Sequence, residues 1–385
     1  MNFTLGASAY PSPSYRWERS NDSGSTWFPI DGATSATYSF TPQFIDDGAE
    51  FQAIASNSQG DITSHVATLT VMPTVYAGGF NINGSGISVP GYWLNGVWVP
   101  LTPLSSQQSS WVYSLAVSGG QIYAAGYSVD DSGTTYAGYW LNGSWVQLGI
   151  NGIITCITKT ENHIYAGGYC WTTGINVAGC WLDGSWIPLP PFSGSKPSTV
   201  TSLAVVGNDV YATGQNMNVL GQTVAGYWLN GQWQTLAANG SSNCIVVSGG
   251  VIYVGGAIAT DAGYWVNGEW MGVTASGSVT SLCVEGGDVI AGGYLSMGAE
   301  SPGGIPGYWL NGGWVAFPQL SSSYPSRVNA IAISGADIIA AGYSSNTPAT
   351  IDGVPGYWDN RAWVGLPTLN PPPGQGSEVN SIYVQ

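Results

Sequence analysis

Short apolar runs set the pattern of this chain. From about residue 73 to the end, runs rich in Val, Ile, Tyr, Trp and Ala are broken by Gly, Asn, Asp and Ser. Runs of this kind between turn formers predict β-strands rather than helices. Four kinds recur in a fixed order. The first reads like Val200-Thr201-Ser202-Leu203-Ala204-Val205, and the second like Ile122-Tyr123-Ala124-Ala125-Gly126. The third carries Gly-Tyr-Trp, and the fourth opens on a second Trp, as in Trp145-Val146-Gln147-Leu148.

The strongest signal is Gly-Tyr-Trp-Leu-Asn-Gly-x-Trp. It starts at Gly91, Gly138, Gly226 and Gly307, with variants starting at Gly179, Gly263 and Gly356. Its first Trp falls at 93, 140, 181, 228, 265, 309 and 358, so the spacings are 47, 41, 47, 37, 44 and 49 residues. A period in the forties with strand-like content is the signature of a propeller blade. Asn-Gly or Asp-Gly joins the third and fourth strands, from Asn95-Gly96 to Asn311-Gly312. These pairs favour the tight hairpin in which both residues take positive φ. The last copy has Asn360-Arg361, where Arg should be strained.

The first copy begins at its second strand, Val75-Tyr76-Ala77-Gly78-Gly79, and the chain ends on a lone first strand, Val379 to Val384. Pairing the two would complete seven units and cover an exposed edge. Residues 73–385 are therefore expected to form an all-β, seven-bladed β-propeller whose C-terminal strand closes the first blade. The layout resembles kelch-type propellers, and more closely bacterial secreted proteins with repeated Tyr-Trp-x-Asn-Gly motifs. That resemblance covers about four-fifths of the chain; propellers host many activities, so it implies fold more than function.

Residues 1–72 lack the repeat. Six strands are expected there: 3–9, 15–19, 26–30, 36–40, 50–56 and 63–71. Trp17, and Asp46-Asp47-Gly48 followed by Phe51, resemble the core Trp and the corner of a bacterial immunoglobulin-like β-sandwich, with Ala53 about where a Cys would sit. The first strand of such a sandwich is missing. Either it is truncated or a neighbouring molecule donates it. The start, Met1-Asn2-Phe3-Thr4, does not read as a signal peptide, so any export signal is expected to be removed or to lie elsewhere.

Composition narrows the function classes. Charged residues make up 7%, and the formal net charge is -15 with six Lys and Arg. Without a cation cluster, nucleic acid and anionic membranes are poor partners. No run approaches the length of a membrane span. A surface of Ser, Thr, Asn, Gln and Gly fits an extracellular or cell-surface protein. Cys156, Cys170, Cys180, Cys244 and Cys283 show no CxxC pattern and read as small buried hydrophobes, so neither a disulfide framework nor a metal is expected.

Catalytic groups are scarce. His65 and His163 are the two histidines, too few for paired copper ligands or a Ser-His-Asp arrangement. Ser20 to Trp27 matches the Asp-box of sialidases once, and reads as a hairpin turn. Asp130-Asp131 and Asp352 lie in long loops without the spacing of a calcium site. A glycosidase would need two opposed carboxylates, which nothing specific supports. No enzyme activity, cofactor or catalytic residue is expected.

Tryptophan is the residue in excess. Of 18, fourteen are repeat positions and two belong to residues 1–72. Trp111 and Trp171 remain. Both fall on the side of the variable loops (Asn81–Val89, Ser128–Tyr136, Leu295–Ile305, Ser344–Val354), in adjacent units, and are the candidate ligand-binding residues. The expected function is a non-enzymatic extracellular protein for adhesion or surface architecture, such as a filament or sheath subunit joined through the open N-terminal edge. The alternatives are a multivalent lectin using the variable-loop side and, third, a glycan-cleaving enzyme. Partners would be other protein subunits or surface glycans.

Overall fold

The computed structural model describes the whole chain except residues 43–45, 173, 195, 275, 297–303, 336, 347–352 and 374. Asp352 and parts of the loops Leu295–Ile305 and Ser344–Val354 lie outside the described residues. Among those described the chain is all-β, with no helix. It divides into two compact units, Met1–Thr74 with Gln385, and Val75–Val384.

In the N-terminal unit, Asn2–Thr4 pairs with Thr37–Ser39. A second, five-stranded sheet runs in the order Phe28–Pro29, Ser14–Ser20, Glu50–Asn57, Gly60–Thr63, with Ala67–Thr68 also on Glu50–Asn57. The last expected strand is thus split in two. Phe3, Trp17, Phe51, Ala53 and Leu69 form the core between the two sheets. Trp17 donates its Nε1–H to the Ser35 carbonyl at 2.9 Å, so its one polar atom is satisfied in burial. Ser20 to Trp27 forms the turn expected of it. Thr26 donates its backbone N–H and its hydroxyl to Asp22, holding that carboxyl down at about 2.

The second unit is built from seven repeat units of four strands. Unit one is Val75–Ile82, Ser88–Leu94 and Val97–Pro100, with Glu378–Val384 paired on Val75–Ile82. Unit two is Trp111–Ser118, Gln121–Val129, Thr135–Leu141 and Ser144–Ile150; unit three is Gly152–Lys159, Ile164–Thr172, Ile175–Leu182 and Ser185–Pro188. Unit four is Thr199–Val206, Asp209–Met217, Thr223–Leu229 and Gln232–Ala238; unit five is Gly240–Ser248, Val251–Ile258, Asp261–Val266 and Glu269–Thr274. Units six (Gly277–Glu285, Asp288–Ser296, Gly304–Leu310, Gly313–Ala316) and seven (Ser326–Ser334, Asp337–Ser344, Val354–Asp359, Ala362–Gly365) are joined by a bridge between Gly304 and Ser326 into one eight-stranded sheet.

This corrects the expected fold class. The strands form eight separate sheets of two to eight strands and none closes on itself, so the chain is not a single seven-bladed propeller behind an immunoglobulin-like sandwich short of one strand. The physical reason is that the repeat period fixes the size of a hairpin unit and says nothing of how backbone ladders continue. Within each unit the ladders saturate. Between units the joints are made by side chains and by isolated backbone bonds, such as that from the Ser198 N–H to the Asn176 carbonyl.

Two local features explain the repeat motif. The Asn and Gly of each hairpin do take positive φ, as at Asn142 (48°) and Gly143 (89°), and Arg361 sits at 76°. The Asn or Asp also accepts an N–H from the first or second residue of the second strand, as Asn230 does from Val210 at 2.9 Å; all seven units share this bond. The Gly of Gly-Tyr-Trp lies under the second Trp. A Cβ on Gly138 would stand 2.5 Å from the Trp145 ring. That ring in turn leans on Trp140, with centroids 4.5 Å apart.

The first Trp of each unit is fully buried and reaches the preceding unit. Trp140 contacts Tyr92 and Leu101, Trp181 contacts Tyr139, and Trp93 contacts Ala341 and Leu366. Where the chain leaves the sheet after a short fourth strand, a carbonyl takes the indole N–H. The acceptors are Pro367 for Trp93, Thr102 for Trp140, Pro190 for Trp228 and Pro318 for Trp358.

Candidate ligand-binding site

Every first strand carries a register shift at the same point, between Val112 and Ser114, Ile154 and Cys156, Val200 and Ser202, Ser242 and Cys244, Val279 and Ser281, Val328 and Ala330, and Val379 and Ser381. The bulged residue is left without a partner and its side chain is redirected. The seven are Asn380, Tyr113, Thr155, Thr201, Asn243, Thr280 and Asn329. Six reach the next unit and donate to the carbonyl just before its bulge. Thr155 bonds Val200 (2.6 Å), Thr201 bonds Ser242 (3.4 Å), Asn243 bonds Val279 (2.7 Å) and Thr280 bonds Val328 (2.7 Å). Asn329 bonds Val379 (2.8 Å), and Asn380 bonds Val112 (2.9 Å). The succession passes from unit seven through unit one to unit two. Tyr113 of unit two breaks it: among the described residues it makes no such bond to Ile154.

The residue after the bulge adds a second stitch. Ser381, Ser114, Ser202 and Ser281 accept N–H groups from Leu115, Ile157, Ile245 and Ile331. Cys156, Cys244 and Ala330 hold this position elsewhere. Burial pushes the Cys244 thiol up to about 12 and the Cys156 thiol higher still, so neither is a nucleophile at neutral pH. Cys170, half-buried, is raised to about 11 by the same cause.

Around the break, rings replace small polar residues. Trp111 stacks on the buried Phe80 with centroids 4.4 Å apart and planes at 13°. Tyr113 lies 5.7 Å from Trp111 and 6.2 Å from Tyr127. In the next unit Tyr169 meets Trp171 edge-on at 5.5 Å. Burial, then the charges that Tyr127, Tyr169 and Glu378 would carry, pushes the Tyr113 hydroxyl far above its usual range. Tyr127 is raised to about 12 by burial and by Tyr169. The rings thus gather in two groups, Trp111, Tyr113 and Tyr127 in unit two and Tyr169 with Trp171 in unit three.

The equivalent places in the other units differ. They pair Thr199 with Gln215, Ser241 with Ala257, Ser278 with Tyr294, Arg327 with Tyr343 and Glu378 with Phe80. Asn243 donates to Ser278 at 3.1 Å, and Asn329 donates to Glu378 at 2.6 Å. The Arg327 guanidinium lies over the Tyr294 ring at 5.5 Å. Three of these five pairs keep a ring on the second strand, Tyr294, Tyr343 and Phe80, and none has one on the first, where unit two sets Trp111.

The two sequence candidates belong one to each group, Trp111 to unit two and Trp171 to unit three, and differ in state. Trp111 is half-buried against Phe80 and its Nε1 is buried without a hydrogen-bond partner among the described residues. Trp171 is 37% exposed. Sequence reasoning missed Tyr113, Tyr127 and Tyr169. The signal was present: written one under another, the first strands show Thr or Asn at the bulge in every unit but one. His163 is placed on the opposite turn, paired with Asp183 at 2.6 Å. Asp130 accepts from Ser132 and Thr134 within its own loop. Among the described residues no group of His, Cys, Asp and Glu is arranged to hold a metal, and no helix is long and apolar enough to cross a membrane.

Residues 2–73 match a family described as a domain of unknown function (DUF8696). No curated protein sequence matches the chain. Solved structures with distant likeness include Sqt1 of Chaetomium thermophilum, at 13% identity and a TM-score of 0.39, covering 76% of this chain and 82% of that one. YjhT is 13% identical with a TM-score of 0.32, over 59% of this chain and 92% of its own. A DUF4784 family protein from Bacteroides caccae is 8% identical with a TM-score of 0.30, over 97% and 92%. At such scores they are distant structural neighbours and carry no further argument.

Proposed function

We propose that this chain is a non-catalytic binding protein of the cell exterior that acts in adhesion, and that it holds neutral saccharides at the rings of units two and three. The observation that carries this is the set of rings itself. Units two and three carry Trp111, Tyr113, Tyr127, Tyr169 and Trp171, and no other unit sets a ring at the first-strand positions that Trp111 and Tyr113 occupy. A sugar ring offers an apolar C–H face and a rim of hydroxyls. The first suits an indole or phenol face, and the second suits Ser, Thr, Asn and Gln. A charge content of 7% suits an uncharged ligand and supports the exterior location, as does the Tyr-Trp-x-Asn-Gly resemblance to bacterial secreted proteins.

The test is calorimetric titration with cello-, xylo-, manno- and chito-hexaose. Binding to at least one is expected, weakened roughly tenfold by Trp171→Ala, a typical loss for an exposed aromatic anchor. No binding to any of them, or binding indifferent to Trp171→Ala, would end the reading.

A second reading, assembly into a surface filament or sheath, rests on a different observation. Gly60–Thr63 is the last strand of its sheet and all four residues are exposed. An open edge of this kind accepts a strand from another chain. Electron microscopy of concentrated protein should then show ordered arrays that disappear with Ile62→Pro; separate particles only would sink this reading.

A further inference from the structure

We propose that Tyr113 determines ligand binding, having given up the inter-unit hydrogen bond that every other bulge residue makes. The inference rests on the saccharide reading above and names the residue on which that site turns.

The argument starts from the seven aligned bulges. A bulge aims one side chain out of the ladder. In six units the aimed side chain is Thr or Asn, short enough to reach the neighbouring carbonyl, and it does so. Tyr113 has no short polar group to set there, because its hydroxyl stands at the far end of a ring. The backbone around it is not otherwise altered. The same bulge is present, and the next residue, Ser114, still accepts from Ile157 at 3.2 Å, as Ser202 does from Ile245. One bond is therefore missing from a frame that could still make it.

Among the described residues the exchange is not compensated by polar partners. Instead the ring lies against Trp111 and Tyr127 and places its hydroxyl within electrostatic range of Tyr169 in unit three and Glu378 in unit one. Tyr113 thus joins Trp111 and Tyr127 into one aromatic group of unit two. A typical buried hydrogen bond contributes modestly to stability, so its loss is tolerable where something else is gained. Because Trp111, Tyr127, Tyr169 and Trp171 collect at the same two units, the departure is a site and not a random drift of the repeat.

Tyr113→Thr and Tyr113→Asn install the residues of the sister units. The expected result with cello-, xylo-, manno- and chito-hexaose is a loss of binding of roughly tenfold or more, as for a central aromatic anchor. The midpoint of thermal unfolding should stay at or above that of the parent, since the new side chain bonds the Ile154 carbonyl. Thr201→Val, which removes one such bond elsewhere, should lower the midpoint and leave binding intact. Unchanged binding in both Tyr113 variants overturns the proposal while leaving the saccharide reading in place. A midpoint lowered as far as in Thr201→Val, or failure of both variants to fold, shows Tyr113 to be structural and also overturns it. If the parent binds none of the four sugars, both fall together.

Discussion

Replacing Trp228 with Ala is expected to lower stability by about 3–5 kcal/mol, the usual range for removing a buried aromatic side chain. The measurement is urea unfolding followed by far-UV circular dichroism, with the midpoint falling and the slope unchanged. Trp228 is fully buried, in one core cluster with Cys180, Leu189, Val200 and Ala212. It spans the joint between units three and four, where the other links are hydrogen bonds such as Thr155 to the Val200 carbonyl at 2.6 Å and the Ser198 N–H to the Asn176 carbonyl at 2.9 Å. Two losses add. The ring leaves a void, and the Pro190 carbonyl loses the N–H it accepts at 2.9 Å. The second loss can be isolated: Trp228→Phe should cost more than Trp309→Phe, because the Trp309 Nε1 has no partner to lose among the described residues. Trp171→Ala is the surface control and should change stability by less than about 1 kcal/mol, being 37% exposed.

Much of the local structure was legible. The Asn-Gly and Asp-Gly pairs between the third and fourth strands marked turns because positive φ is costly for other residues, and each of those six sits at a hairpin. The place of the lone strand at the end was readable too, since Glu378–Val384 pairs with Val75–Ile82 in the register the repeat requires. Other features were not legible from one copy of the motif. The side chain of Asn230 bonding Val210 explains why Asn or Asp, and not Gly, opens each turn, yet turn propensity alone gives no hint of that bond. The Gly of Gly-Tyr-Trp reads as a strand residue with no reason to be Gly until the second Trp is seen lying on it.

The single closed propeller was the expectation that failed, and the bulges show why the sequence could not decide it. Apolar periodicity reports which residues are buried, not which backbones are bonded. Units join through Thr, Asn and Ser side chains and through buried indoles, while one backbone bridge, Gly304 to Ser326, fuses two units into a single sheet. None of these groups differs in hydropathy pattern from an ordinary strand residue. The candidate site was half-visible for a related reason. Trp111 and Trp171 stood out by exceeding the repeat's own count of indoles. Tyr113, Tyr127 and Tyr169 did not, because tyrosine is common in these strands and only the aligned bulge position makes Tyr113 unusual.

Gly138→Ala should cost about 2–3 kcal/mol, at the upper end of what overpacking a fixed interior does. The added Cβ would meet the Val146 carbonyl oxygen at 2.4 Å and the Trp145 ring at 2.5 Å. The first is backbone held in the third-to-fourth strand ladder, where Tyr139 pairs with Val146. The second is a ring already against Trp140, which is itself fully buried. Neither neighbour can yield without moving a strand or the joint to the preceding unit. Two other glycines of the same repeat unit separate this crowding from ordinary glycine effects. Gly143 faces open space but has φ of 89°, so Gly143→Ala should cost about 1 kcal/mol through backbone strain alone. Gly149 has neither problem, its added Cβ finding nothing nearer than 3.8 Å, and Gly149→Ala should be neutral or stabilising by up to about 1 kcal/mol through reduced freedom of the unfolded chain. The order of urea midpoints, Gly149→Ala above Gly143→Ala above Gly138→Ala, is the measurement. A Gly138→Ala midpoint equal to that of Gly143→Ala would mean that the second indole can swing away, and that the Gly of the motif is set by something other than the ring above it.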